Sequence, residues 1–291
     1  MKSSETGSMP VSVIFTTYNS TEWLEKVLWG FFEQTYRNFE IVVADDGSSG
    51  ETRQLLQRMR AVSPVPLVHV WQEDTGFQKC RILNKAVLAA SGDYLVFTDG
   101  DCIPRADFLA QHVRLADESH FLSGGYFKLP MDVSKRITRE DIRSQRVFDI
   151  GWLRRMGVPR SEKNLKLMAR GWVASLLNAI SPARASWNGH NASCHKRHVL
   201  AANGFDERMQ YGGEDREFGE RLVHMGLKGR RVRYSAVCVH LDHARGYVKE
   251  EMLVRNAQIR RETAQRKAVR AVVGLDQYQG IDPGAFIVQP E

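Results

Sequence analysis

Along the first hundred residues, short apolar runs alternate with stretches in which apolar residues recur every three or four positions. Residues 11–15 are apolar apart from Ser12, a run too short for a helix and suited to a buried strand. Asn19, Ser20 and Thr21 follow, residue types that open helices. Beyond them Leu24, Leu28 and Phe31 recur at helical spacing, with Val27 and Phe32 widening the stripe. The alternation continues with a strand at 39–43, a helix at 52–60, a strand at 67–70, a helix at 81–90 and a strand at 94–97. Such a pattern predicts an α/β fold in which a mostly parallel sheet is flanked by helices. Pro104 suits the opening of a further helix, because its missing N–H costs nothing in a first turn.

The second half is less regular. Residues 123–129 read as strands, and 137–180 as largely helical with many basic positions. Residues 193–204 suggest a strand end and a short helix stopped by Gly204. Residues 215–225 form an amphipathic helix closed by Gly226, and 236–239 make a last apolar run. The expected organisation is a disordered tail at 1–9 and one domain at 10–244, with halves at 10–120 and 121–244. A basic helical extension at 245–291 completes it.

Composition narrows the class. With 291 residues, 43% of them hydrophobic, the chain can bury a substantial core. Its first nine residues lack the apolar stretch of a secretory signal, and 171–180 falls far short of the ~20 residues that span a membrane. The four cysteines are scattered, with no Cys-x-x-Cys pair, which argues against a zinc site or a disulfide framework. A cytoplasmic setting is expected. The formal net charge of +7 favours anionic partners: nucleotide phosphates, nucleic acid or an acidic membrane surface. No interleaving of aromatic and basic residues supports nucleic acid.

Ligands of open α/β sheets bind at the carboxyl ends of the strands, and three polar motifs stand at those ends. Thr16, Thr17, Tyr18 and Asn19 follow the first strand, and Asp45-Asp46-Gly47-Ser48 follows the second. Asp46 can accept from a uracil N–H, and Tyr18 can offer an aromatic face to the base. Asp99 and Asp101, two apart after a strand, can share a divalent cation that bridges the phosphates of a nucleoside diphosphate. Oxygen ligands suit Mg2+ or Mn2+, and an added imidazole favours Mn2+. Gly212-Gly213-Glu214-Asp215 precedes a helix and brings paired carboxylates near a ligand, one of them able to act as a base. His240 or His243 can reach the same crevice as a metal ligand, and Trp187, Asn188 and His190 can stack on or hydrogen-bond a sugar.

In combination these segments resemble the family 2 glycosyltransferases of GT-A fold, over residues 11–243. Residues 14–19, 39–48 and 94–101 look like that family's donor-binding half. Asn203-Gly204-Phe205-Asp206-Glu207 followed by Gly212-Gly213-Glu214-Asp215-Arg216-Glu217-Phe218 is similar to the acceptor half of bacterial chondroitin polymerases and β-1,4-galactosyltransferases. The resemblance implies an inverting transferase in which Thr16, Tyr18 and Asp46 hold the nucleoside. Asp99 and Asp101 form the Asp-x-Asp motif with Asp101 on the metal, His240 is the further metal ligand, and Asp215 is the base with Glu214 beside it. Where the family has an Arg-Asn pair, this chain has Leu83-Asn84, and Arg81 stands as the replacement cation for the donor phosphates. The implied partners are a nucleotide sugar, a UDP-sugar above all, and a glycan or lipid-linked glycan of lipopolysaccharide, O-antigen or capsule assembly.

Two other readings share parts of this pattern: a non-catalytic nucleotide-sugar or glycan binding protein, and a nucleotidyltransferase, whose glycine-rich phosphate loop is missing from 11–19. Basic tracts at 136–163 and 255–270 suggest peripheral attachment to the cytoplasmic face of an anionic inner membrane.

Overall fold

The computed structural model describes residues 9–244 and 248–289, so the tail expected at 1–9 lies, Met9 apart, outside the described residues. The strands β1 (Val11–Thr17), β2 (Phe39–Asp45), β3 (Leu67–Trp71) and β4 (Tyr94–Asp99) alternate with the helices α1 (Thr21–Phe32), α2 (Gly50–Val62) and α3 (Lys79–Ala89). Then come β5 (Cys102–Pro104), α4 (Phe108–Leu115), β6 (His120–Ser123) and β7 (Gly125–Lys128). The short helix α5 (Met131–Arg136) precedes the stretch read as helical at 137–180, which is broken into α6 (Arg139–Arg143), α7 (Ile150–Arg155), α8 (Leu165–Met168) and α9 (Gly171–Ile180). The order closes with β8 (Ala192–His195), α10 (Lys196–Ala201), α11 (Glu214–His224), β9 (Lys228–Arg231), β10 (Val237–His240) and α12 (Glu250–Arg266).

One sheet of seven strands runs β3-β2-β1-β4-β8-β6-β9, and a second of three runs β5-β10-β7. From β3 to β4 the pairing is parallel, whereas β8 is antiparallel to both its neighbours. Period-two alternation sorts the core onto both faces of the large sheet. Val13 and Phe15 of β1 face Leu24, Leu28 and Phe31 of α1, while Ile14 belongs with Ile82 and Ala86 of α3 and Phe218 of α11. The apolar stripes read from the sequence are thus the faces these helices bury.

Pro104 departs from expectation. It ends β5, opposite Cys238 of β10, and the helix starts at Phe108. An edge strand tolerates a residue that lacks an N–H, and β5 is an edge. The C-terminal segment is helical only through α12 and in two short 3-10 turns. It then returns to the large sheet, where Val288 N–H donates to the His69 carbonyl at 2.8 Å and Ile287 bridges Val70 on the open side of β3. Among the described residues no helix is long and apolar enough to cross a membrane.

Candidate active site

The register puts Thr17 beside Asp45 and Thr16 beside Asp99, so the loops after β1, β2 and β4 leave the sheet at one level. They open onto a cavity of about 1300 Å3 whose lining includes Thr16, Tyr18, Asp46, Asp99, Asp101, Asn188, Glu214, Asp215, His240 and His243. The motifs read separately in the sequence therefore meet in one cleft. Arg81 and His190 are not on its wall.

At one end, Asp45 is buried and structural: it accepts from Ser48 N–H at 2.8 Å and contacts His69 Nε2 at 2.9 Å. The turn it holds needs Gly47, whose φ of +93° and close approach to Asp74 leave no room for a side chain. Asp46 faces the cleft with Oδ1 accepting from Gln72 Nε2 at 2.6 Å and Oδ2 from Gln78 N–H at 2.9 Å. Burial pushes its carboxyl up to about 6. Tyr18 projects beside it, half exposed, its hydroxyl donating to Asp74 at 2.9 Å.

A cation of the cleft that sequence reasoning passed over is Lys79. Its Nζ lies 3.1 Å from Asp99 Oδ1. Burial alone would lower its pKa, but the charges of Asp99, Asp215 and Glu214 hold it well above the usual lysine range. The assignment of Arg81 is corrected on the same helix: Arg81 is exposed and reaches Tyr278 of the C-terminal segment. Residues two apart on a helix point about 160° away from each other, so Lys79 and Arg81 leave α3 on opposite sides. The signal lay in the helix start, which is Lys79 rather than Arg81.

Across the cleft, His240 Nε2 and His243 Nε2 approach the same oxygen, Asp101 Oδ2, at 3.5 and 3.0 Å. Among the described residues, Asp101, Cys102 and His240 form a cluster with donor atoms within 4.8 Å. Burial keeps the Cys102 thiol protonated, and it donates to Asp101 Oδ1, so it supports the carboxylate rather than offering a thiolate. One carboxylate and imidazoles from two histidines form a nitrogen-rich donor set that suits Mn2+ better than Mg2+. Among the described residues the buried His240 Nδ1 has no hydrogen-bond partner.

The third motif is held in unusual backbone. Gly212 and Gly213 have φ of +104° and +89°, and Gly213 caps α11. Glu214 Oε2 accepts from Gly212 N–H at 2.8 Å, and burial followed by the charge of Asp215 raises its carboxyl to about 7. Burial also raises Asp215, against the opposing pull of Lys79. Its Oδ1 is buried without a hydrogen-bond partner among the described residues. Gly189 makes this closeness possible, since a Cβ there would stand 2.8 Å from the Asp215 carboxylate and 3.0 Å from Lys79 Nζ. The loop is braced from α12: Asn256 Nδ2 donates to the carbonyls of Gln210 and Gly212, each at 2.9 Å.

The three residues expected to meet a sugar separate. Trp187 is only 1% exposed and its ring packs edge-on against Phe97 and Phe218, so it fills the core instead of offering a stacking face. Asn188 reaches the cleft while accepting from Asn191 N–H at 2.9 Å. His190 lines a second, adjoining cavity, packs on Tyr126, and is driven down to about 4 by burial.

This arrangement brings carboxylates, a lysine and two histidines together in one cleft, and a comparison of the sequence with family models supplies the class. Residues 12–165, just over half of the chain, match the model of glycosyl transferase family 2. The chain belongs to that family. Residues 181–244 match the N-terminal domain of galactosyltransferase. Membership in a transferase family replaces the nucleotidyltransferase and binding-protein readings.

Relatives of this family 2 glycosyltransferase include the uncharacterized glycosyltransferase YfnE of Bacillus subtilis, 27% identical over 81% of this chain and 65% of its own. Chondroitin synthase of Escherichia coli is 27% identical over 80% of this chain and 34% of its own. The chain thus spans from a third to just under two thirds of those proteins. Among solved structures, the mannosyltransferase PcManGT of Pyrobaculum calidifontis, in complex with GDP-Man and Mn2+, aligns with a TM-score of 0.56 at 24% identity, covering 95% of this chain and 68% of its own. TarS of S. aureus in complex with UDP-GlcNAc aligns with a TM-score of 0.56 at 17% identity, covering 82% of this chain and 60% of its own. These likenesses establish the GT-A fold.

Proposed function

We propose that this glycosyltransferase moves a hexose or N-acetylhexosamine from a UDP-sugar to a hydroxyl of a bacterial glycan or glycolipid, with inversion at the anomeric carbon. The observation that carries the reading is Asp215: a carboxylate oxygen without a hydrogen-bond partner among the described residues, at the head of α11, in the cleft that Asp46, Lys79, Asp99 and Asp101 also line. Tyr18, Thr16 and Asp46 hold the nucleoside, and Lys79 with Asp99 faces the diphosphate side. Asp215 Oδ1 takes the proton of the acceptor hydroxyl as its oxygen attacks the anomeric carbon, while the bond from that carbon to the diphosphate oxygen breaks. Asp101 with His240 and His243 would hold Mn2+ or Mg2+, which stabilises negative charge on the departing diphosphate.

The test is release of nucleoside diphosphate from UDP-, GDP- and dTDP-sugars with a membrane-derived glycan extract as acceptor. Metal-dependent release from a UDP-sugar is expected, with chelator reducing it to background and added Mn2+ or Mg2+ restoring it. Release from none of the donors under any metal condition sinks the reading.

A pH profile tests the carboxyl pair. Because Asp215 acts unprotonated and burial raises its carboxyl, kcat is expected to fall on the acid side at a pH above the ordinary carboxylate range. Glu214 is raised by burial and by the charge of Asp215, whereas Asp215 is raised by burial and by Asp99, so Glu214→Gln should leave that limb in place. A limb moved to the acid side by the substitution would mean that Glu214 sets it.

A further inference from the structure

Helix α9 is built inside out. Its buried positions are Ala174 and Asn178, while Trp172, Leu176 and Ile180, each four apart, face solvent with Val173 beside them. With Leu165 and Met168 of α8, these side chains are between 37% and 76% exposed, Trp172 the most. The inversion is pinned in place by polar contacts. Asn178 donates to Ser235 Oγ at 2.9 Å and accepts from Tyr234 N–H at 3.0 Å, and Arg231 donates to carbonyls at the end of the helix, that of Asn178 at 2.9 Å among them. A helix held so that its apolar stripe points outward requires an apolar partner.

Charge identifies the partner. Residues 151–190 contain seven Lys and Arg against one acid, Glu162. The segments leading into α8 and out of α9 open into the second cavity, of about 780 Å3, lined by Lys163, Lys166, Arg184, Arg216 and Arg233. Its one lining acid, Asp242, is engaged by Lys128 at 2.9 Å. Arg233 Nε and Lys166 Nζ both crowd Gly125, at 3.2 and 3.7 Å from where its Cβ would lie. Burial and the nearby Arg233 charge bring Lys166 down to about 8, as expected of positive charge lacking a counter-ion. The cavity shares Ser186, Asn188 and Arg216 with the cleft that contains Asp215.

We propose that the α8–α9 face lies on an anionic lipid surface and that the cationic cavity beside it takes the phosphate groups of a lipid-linked acceptor, delivering its sugar hydroxyl toward Asp215. The assignment of the cavity to the acceptor rests on the transferase reading above; the docking face rests on exposure and charge. It also puts the apolar centre of the membrane contact at residues 165–180, next to the basic tract at 136–163 rather than at that of 255–270.

The experiment uses the full chain with vesicles of phosphatidylcholine alone or mixed with phosphatidylglycerol. Cosedimentation with the anionic vesicles, weakened by salt, is expected, together with quenching of tryptophan fluorescence by brominated acyl chains. Trp172→Glu should lower vesicle affinity at least tenfold at unchanged thermal stability, and so should the paired Leu176→Ser, Ile180→Ser variant. Geranylgeranyl diphosphate in the vesicles should tighten binding several-fold over geranylgeraniol, and Arg184→Ala with Arg233→Ala should remove that increment. Equal binding to both vesicle types, retained binding by Trp172→Glu, no diphosphate increment, or a dimer dissolved by Trp172→Glu without vesicle binding would each overturn the proposal. Loss of nucleotide-sugar turnover with vesicle binding intact would instead remove the transferase reading and leave the docking face standing.

Discussion

Asp215→Asn is expected to lower kcat by about 10³-fold while UDP affinity stays within about twofold of the parent. The amide matches the carboxylate in shape, so the Gly189 approach and the start of α11 are preserved, but it cannot accept the acceptor proton. The effect belongs in kcat because the interaction lost is one made as the hydroxyl attacks, not one made with the nucleotide at the Asp46 end of the cleft. The substitution also removes a charge that Lys79 feels, so a change in UDP affinity much beyond twofold would show that the carboxylate acts through Lys79 on the diphosphate. Steady-state rates and calorimetric titration of UDP separate the two. A variant that retains more than about a tenth of the parental kcat would exclude Asp215 as the base.

The second large effect is expected in stability. Arg221→Leu should lower the free energy of unfolding by about 3–5 kcal/mol, read from urea denaturation. Arg221 is fully buried on α11 and grips Glu217 with Nε at 2.9 Å and Nη2 at 3.0 Å, while Nη1 donates to the Ala202 carbonyl. Thr263 of α12 donates to the same carboxylate at 2.9 Å. Removing the guanidinium strands a buried negative charge between two helices, which costs far more than the pair contributes. Arg221→Leu combined with Glu217→Leu should recover most of the loss, because no charge is then left unpaired. If the double variant is as unstable as the single one, the deficit comes from packing between α11 and α12 and not from the stranded charge.

Both effects converge on α11, and the sequence disclosed its two sides unequally. The stripe of Phe218 and Leu222 and the stop at Gly226 are local patterns, as are the strand runs before Asp46 and Asp99. Burial periodicity and glycine placement depend on neighbours a few residues away, so these elements and their polar ends could be read before any fold was known. The same locality made the paired glycines at Gly212 and Gly213 legible, since only a backbone with positive φ asks for them.

What local pattern cannot carry is direction. Lys79 and Arg81 are both cations near a helix start, and a shift of two residues in where α3 begins decides which one faces the cleft. Trp187 looked like a sugar platform beside Asn188 until Phe97, Phe121 and Phe218, distant in the chain, enclosed it. Nor could composition show that α12 braces the loop before Glu214 through Asn256, because a basic surface and a buried amide coexist on one helix.

By itself, the sequence determined the alternation of strands and helices, the acidic motifs at strand ends and the family that uses them, all properties set by short-range periodicity and residue chemistry. Tertiary structure alone decided which cation meets Asp99, which histidines converge on Asp101, that Asp215 keeps an oxygen unpartnered among the described residues, and that α9 turns its apolar side to solvent. Those facts depend on contacts between segments tens to hundreds of residues apart, for which the linear pattern holds no geometry.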